Sequence, residues 1–203
     1  MNRQKNDEIT LEKKKILVQY IFVLTVSLLL GISFALLMED GLLLSMGERM
    51  KAHFALEFPE EYTIYNTIRA VLQYSFPDIV CIVGAFGFTF SIINYLASDA
   101  VLICEGFTVG LAATAIYRYI SRFGNLSFSK FVWFIGFKSA FLIFILSFLY
   151  GLAVNSLELK EFNSVYRVKI NFSKLIFLLM YSVVGLGTAI LLNTVYCIGI
   201  FIL

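Results

Sequence analysis

One histidine, His53, occurs in the chain, and a single imidazole excludes a multi-histidine metal site. It reads as a solvated or interfacial side chain. Cysteine is scarce: Cys81, Cys104 and Cys197 form no C-x-x-C pair, so no disulfide framework is expected. All three fall inside apolar runs and read as small hydrophobes. The two prolines, Pro59 and Pro77, read as lying outside those runs. Charge is sparse and nearly balanced, at +2 net, and nothing in it points to nucleic acid. There is no Walker A loop, no Rossmann glycine fingerprint, no HExxH and no GxSxG. No carboxylate pair has useful spacing on one helix face, and the Ser, His and Asp residues form no plausible triad. The expectation is a chain that is not an enzyme and needs no cofactor or metal. No inverted repeat of interrupted helices, the transporter signature, is evident either.

What the chain has in abundance is apolar sequence. Hydrophobic residues make up 60% of it, and the mean hydropathy is +0.85. Soluble domains hold about 45–50%. The excess lies in uninterrupted runs, and about 20 apolar residues in a helix cross the roughly 30 Å of hydrocarbon. The runs are too long and too uniform for barrel strands. The sequence therefore predicts an all-α, polytopic membrane protein of about five spans in one membrane domain.

Residues 1–15 form a basic tail ending in Lys13, Lys14 and Lys15. The first span is expected over 16–38. It is too long for a signal-peptide core and no A-x-A site follows, so it reads as an uncleaved anchor. Residues 39–77 read as an extracytoplasmic or interfacial segment. Within it Leu42, Met46, Met50 and Phe54 recur at helical spacing, as do Ile64, Ile68 and Leu72, the pattern of short amphipathic helices. Pro77-Asp78 reads as a helix start, because proline at the first helical position costs no hydrogen bond. The second span is then 78–96. A break at Ala97-Ser98-Asp99 leads to a third span over 101–119, making a tight hairpin. Residues 118–130 form a basic loop, and the fourth span is 131–154. A polar loop over 155–172 precedes the last run, 174–203, which reads as one long helix with its soft point at Gly185 and Gly187. With the N-terminus inside, nine Lys and Arg fall on inner segments and six on outer ones. That bias favours a cytoplasmic N-terminus in the cell membrane.

Few polar groups fall within the spans. Glu105 and Lys138 are the intramembrane charges, and such groups are candidate functional sites by default. On these boundaries they start from opposite faces, and both also suit snorkelling anchors. Small residues repeat at helical spacing: Gly106, Gly110 and Thr114, then Gly185, Ala189 and Asn193, then Gly87 and Ser91. Such faces let helices approach closely in lipid, within this chain or against a second copy. Glu48, Arg49 and Lys51 lie between the apolar positions of the 39–77 segment and are the expected partner-binding residues.

The stretch Ile103-Cys104-Glu105-Gly106-Phe107-Thr108-Val109-Gly110-Leu111 resembles the motif that opens a span in the stage II sporulation protein M family. Gly106 and Gly110 match its glycines. The layout of basic tail, span, long external segment and span cluster is also similar. Two features depart from that family: Glu105 stands where lysine is usual, and Phe131-Val132-Trp133 opens the fourth span without a polar, proline-containing start. The resemblance implies a non-enzymatic scaffold that anchors cell-wall hydrolases or other envelope proteins during engulfment. The alternative is a permease-type subunit of an export or immunity system, dependent on partners because the chain has no nucleotide site.

Overall fold

A computed structural model describes residues 2–53, 63–88, 94–123, 127–165 and 172–203. Among them the protein is all helix: α1 (Asn2–Leu37), α2 (Asp40–His53), α3 (Ile64–Phe88), α4 (Asn94–Phe123), α5 (Phe128–Val165) and α6 (Phe172–Ile202). Five helices are long and apolar enough to cross a membrane, over Ile9–Leu37, Ile64–Gly87, Leu96–Arg122, Phe128–Leu157 and Leu175–Ile200. In hydrocarbon a helix satisfies its backbone within its own segment, which is why these runs coil. At 14 residues, α2 is too short to span.

Side-chain neighbours give the direction of each helix. Gln19 donates to Asp99 at 2.7 Å, Gly106 sits against Leu24 and Ser27, and Gly110 against Leu28 and Ile32. Further along, Arg118 reaches the backbone of Ala35. Numbers rise together on both helices, so α1 and α4 are parallel. Tyr74 stacks near Tyr196 while Asp78 bonds Asn193, so α3 and α6 are antiparallel. Gly151 meets Tyr181, Gly185 meets Phe148, and Gly199 meets Trp133, so α5 and α6 are antiparallel too. Helices α1, α4 and α6 thus run one way and α3 and α5 the other, as five successive crossings require.

The core divides by level. Toward the N-terminal end of α1, Tyr20, Leu102, Leu149 and Leu152 are buried together. At the other end Ala35, Met38, Leu43, Leu111 and Ala115 pack as a second cluster. Between α3, α5 and α6 a third contains Tyr74, Phe134, Phe137 and Tyr196. The outward faces stay apolar as well, with Phe22, Leu30, Ile143 and Val184 exposed, the surface a lipid-embedded bundle presents.

Several boundaries differ from the sequence reading. Helix α3 starts at Ile64 and Pro77 lies inside it, so the expected non-membrane segment 39–77 holds α2 and then half of a span. Membrane helices tolerate internal proline where neighbouring groups satisfy the freed backbone. Ile64, Ile68 and Leu72 are exposed on that span, where they face lipid. The expected break at Ala97-Ser98-Asp99 is helical, because serine and aspartate interrupt a helix only when the chain turns there. Residues 89–93 and 54–62, with Ser91 and Phe54, lie outside the described ones. The 118–130 loop shrinks, since α4 runs to Phe123 and α5 begins at Phe128. Similarly, α5 continues to Val165, leaving 166–171 outside the described residues. Helix α6 is unbroken through Gly185 and Gly187. Gly185 acts as a seat for the Phe148 ring, not as a soft point.

Candidate functional site

Four helices each bring one polar side chain to the same level of the bundle: Asp78 from α3, Glu105 from α4, Lys138 from α5 and Asn193 from α6. Each lies within about two turns of the middle of its span. Asp78 is 4% exposed, Lys138 5% and Asn193 0%. The Asn193 Nδ2 donates to Asp78 Oδ2 at 2.6 Å, tying α6 to α3. Directly before Asp78, Pro77 carries no N–H, so the Gln73 carbonyl lacks its usual helical donor. Polar backbone and a polar side chain thus coincide on one stretch of α3.

Aromatic rings frame the charge. The Lys138 ammonium lies 5.5 Å from the Tyr74 ring centroid and 5.1 Å from that of Phe141, within cation–π range. Tyr74 and Phe137 pack on Tyr196 at 5.2 and 4.9 Å between centroids. Glu105 is half-buried and within electrostatic reach of both Asp78 and Lys138. Cys81 lies within reach of the same two carboxylates and Cys197 within reach of Lys138. Ser75 Oγ and Asn193 Oδ1 are buried and accept or donate no hydrogen bond among the described residues.

The sequence reading puts Glu105 and Lys138 near span ends on opposite faces. Once α3, α4 and α5 extend to their full lengths, both residues fall near mid-span. Lys138 is buried among rings and does not snorkel. Asp78 is not among the residues the sequence singles out, because Pro77-Asp78 reads as a helix start. The signal was available: Ile64, Ile68 and Leu72 keep helical spacing into the proline, and the continuous helix they imply places Asp78 deep in a span.

The other candidate residues serve packing and an elbow. A Cβ on Gly106 would collide with Ser27, and one on Gly110 with the Leu28 carbonyl. The stripe continues at the buried Leu111 and Ala115, with Thr114 half-buried at its edge. On α1 the matching face is Ser27, Gly31 and Ala35, a small-residue repeat that sequence reasoning passed over. Ala189 is fully buried beside the Gly185–Phe148 contact, so this face too is used within the chain. On α2 Leu43 and Gly47 are buried and Met46 and Met50 half-buried against the same cluster, whereas Leu42 is 50% exposed. Met46 and Met50 of the expected face pack inward, and Leu43 takes the place expected of Leu42. Glu48 accepts a hydrogen bond from the Tyr119 hydroxyl, and Arg49 is exposed. The side chain of Lys51 falls outside the described ones.

Among the described residues no group of three or more His, Cys, Asp or Glu could hold a metal ion. No family model, curated protein or solved structure matches the chain. Fold and site together define a class: a multi-pass helical membrane protein with an ionisable cluster buried in its bundle.

Proposed function

We propose that the protein is a permease-type, non-enzymatic membrane subunit whose work runs through the Asp78–Glu105–Lys138–Asn193 cluster. The observation that carries this reading is the 2.6 Å Asn193–Asp78 contact beside a buried Lys138 at mid-span. Ionisable residues at a helix centre cost about 2.5–3.5 kcal/mol each on insertion scales. Helix association in lipid does not need them, because small-residue faces supply it, and this chain has such faces on α1, α4 and α6. Charges kept at that cost suit a path for a polar or charged solute. The cell membrane is the proposed location, with the N-terminus cytoplasmic. An energising partner protein is part of the proposal, since the chain carries no nucleotide motif.

A scaffold of the stage II sporulation protein M type is the second reading. The exposed Arg49 on α2 and the matching glycines Gly106 and Gly110 favour it. Complementation of a deletion strain at matched protein levels separates the two. The permease reading expects Glu105→Gln to lose function while the Glu48, Arg49 and Lys51 triple alanine variant keeps it. The reverse result sinks the permease and supports a scaffold.

A further inference from the structure

Two carboxyls, Asp78 and Glu105, share the cluster with one ammonium, Lys138. Helix by helix, the titratable groups at this level among the described residues are Tyr74, Asp78 and Cys81 on α3, Cys104 and Glu105 on α4, Lys138 on α5, and Tyr196 and Cys197 on α6. The Asn193 amide uses its nitrogen on Asp78 Oδ2, yet its oxygen is buried and receives no donor among the described residues. A buried polar atom without a partner carries the full cost of its lost hydration. An ionised carboxyl is acceptor-only and cannot supply the missing donor; a protonated one can. Proton uptake on Asp78 would complete a two-bond ring, with Asn193 N–H to one carboxyl oxygen and carboxyl O–H to the Asn193 oxygen. The same proton reduces the excess of negative charge in the cluster.

We propose that the Asp78–Asn193 pair is a proton-binding site, taking one proton from water and returning it to water. It deepens the permease reading by naming the ion such a subunit would couple to. The test does not depend on that reading, because it is spectroscopic. Infrared spectra of the purified protein in vesicles at neutral pH should show the C=O stretch of a buried carboxylic acid. That band should shift in D₂O and disappear in Asp78→Asn. It should survive in Asp99→Asn and Glu105→Gln. In Asn193→Leu it should move toward the position of a carbonyl without a hydrogen bond. Labelling with ¹³C-aspartate must move the band in the unmutated protein, which assigns it to an aspartate, and its survival in Asp99→Asn then leaves the buried Asp78 even where Asp78→Asn does not fold. Absence of the band, insensitivity to the aspartate label, or loss in Glu105→Gln with retention in Asp78→Asn each overturns the proposal. Should complementation fail to support a permease, a label-sensitive Asp78 band still establishes the proton site.

Discussion

At the scale of single residues, the glycines separate by what surrounds them. Gly31, Gly106 and Gly110 sit where α1 and α4 touch; a Cβ added at Gly31 or Gly110 would strike a backbone carbonyl that cannot move aside, and one at Gly106 would strike the Ser27 hydroxyl. Gly187 faces open space, on the lipid side of α6. Overpacking a tight contact costs about 1–3 kcal/mol, whereas glycine to alanine in an exposed helix gains up to about 1 kcal/mol of propensity. Gly110→Leu should therefore lower the melting temperature in detergent, and Gly187→Ala should hold or raise it. A Gly110→Leu protein as stable as the parent would mean that α1 and α4 do not meet there. The glycine spacing on α4 was legible in the sequence because small-xxx-small is a local pattern. Its partner on α1 was hidden by the leucines around Ser27, Gly31 and Ala35.

At the scale of elements, the join between α1 and α2 is held by one side chain. Arg118 of α4 donates to the carbonyls of Ala35, Leu36 and Met38 at 2.6, 3.3 and 3.1 Å. These belong to the last turn of α1 and to the link, where helix carbonyls lack partners and a cation is favoured. Arg122 pairs with Asp40 at the start of α2. The two arginines differ in what they are worth. Hydrogen bonds from a charged donor contribute about 1.5–3 kcal/mol, and the Arg118 side chain is 17% exposed. The Arg122–Asp40 pair is exposed at 44% and 64%, and such pairs contribute about 0–1 kcal/mol. Arg118→Ala should thus destabilise the protein clearly more than Arg122→Ala in thermal unfolding, and equal effects would contradict the capping role. The same two arginines explain why a basic loop over 118–130 was misleading. They lie on a helix and answer carbonyls and Asp40, so their charge says little about the side of the membrane. Helix existence was legible from hydropathy alone. Helix ends were not, because Pro77, Ser98 and Asp99 act as breakers only when the surrounding chain lets them. The polar site depended on those ends: with α3 started fourteen residues late, Asp78 looked interfacial.

At the scale of the molecule, five crossings place the two ends of the chain on opposite faces, and the parallel register of α1 and α4 requires it. Were α2 a sixth crossing, α1 and α4 would run antiparallel, and the Gln19–Asp99 and Ala35–Arg118 contacts could not both form. The proposed cytoplasmic face is the one carrying the N-terminus, on the distribution of charge. Lys13, Lys14 and Lys15 lie near the start of the first apolar helix, and Lys160 lies on α5 past the apolar stretch that ends at Leu157, on the same side. On the other side Arg118 and Arg122 are engaged with the protein itself, which weakens their pull on orientation relative to the lysine cluster. Single cysteines in a background lacking Cys81, Cys104 and Cys197 test this. Ser45 is exposed on α2, its hydroxyl bonded only to the Leu42 carbonyl at 3.0 Å, and Ser164 lies on α5 past the end of its span. An impermeant maleimide on intact cells should label Ser45→Cys and spare Ser164→Cys. The opposite pattern inverts the orientation while keeping five crossings. Labelling of both positions to the same extent would put α2 and the end of α5 on one face, which the three spanning helices between them, α3, α4 and α5, do not allow.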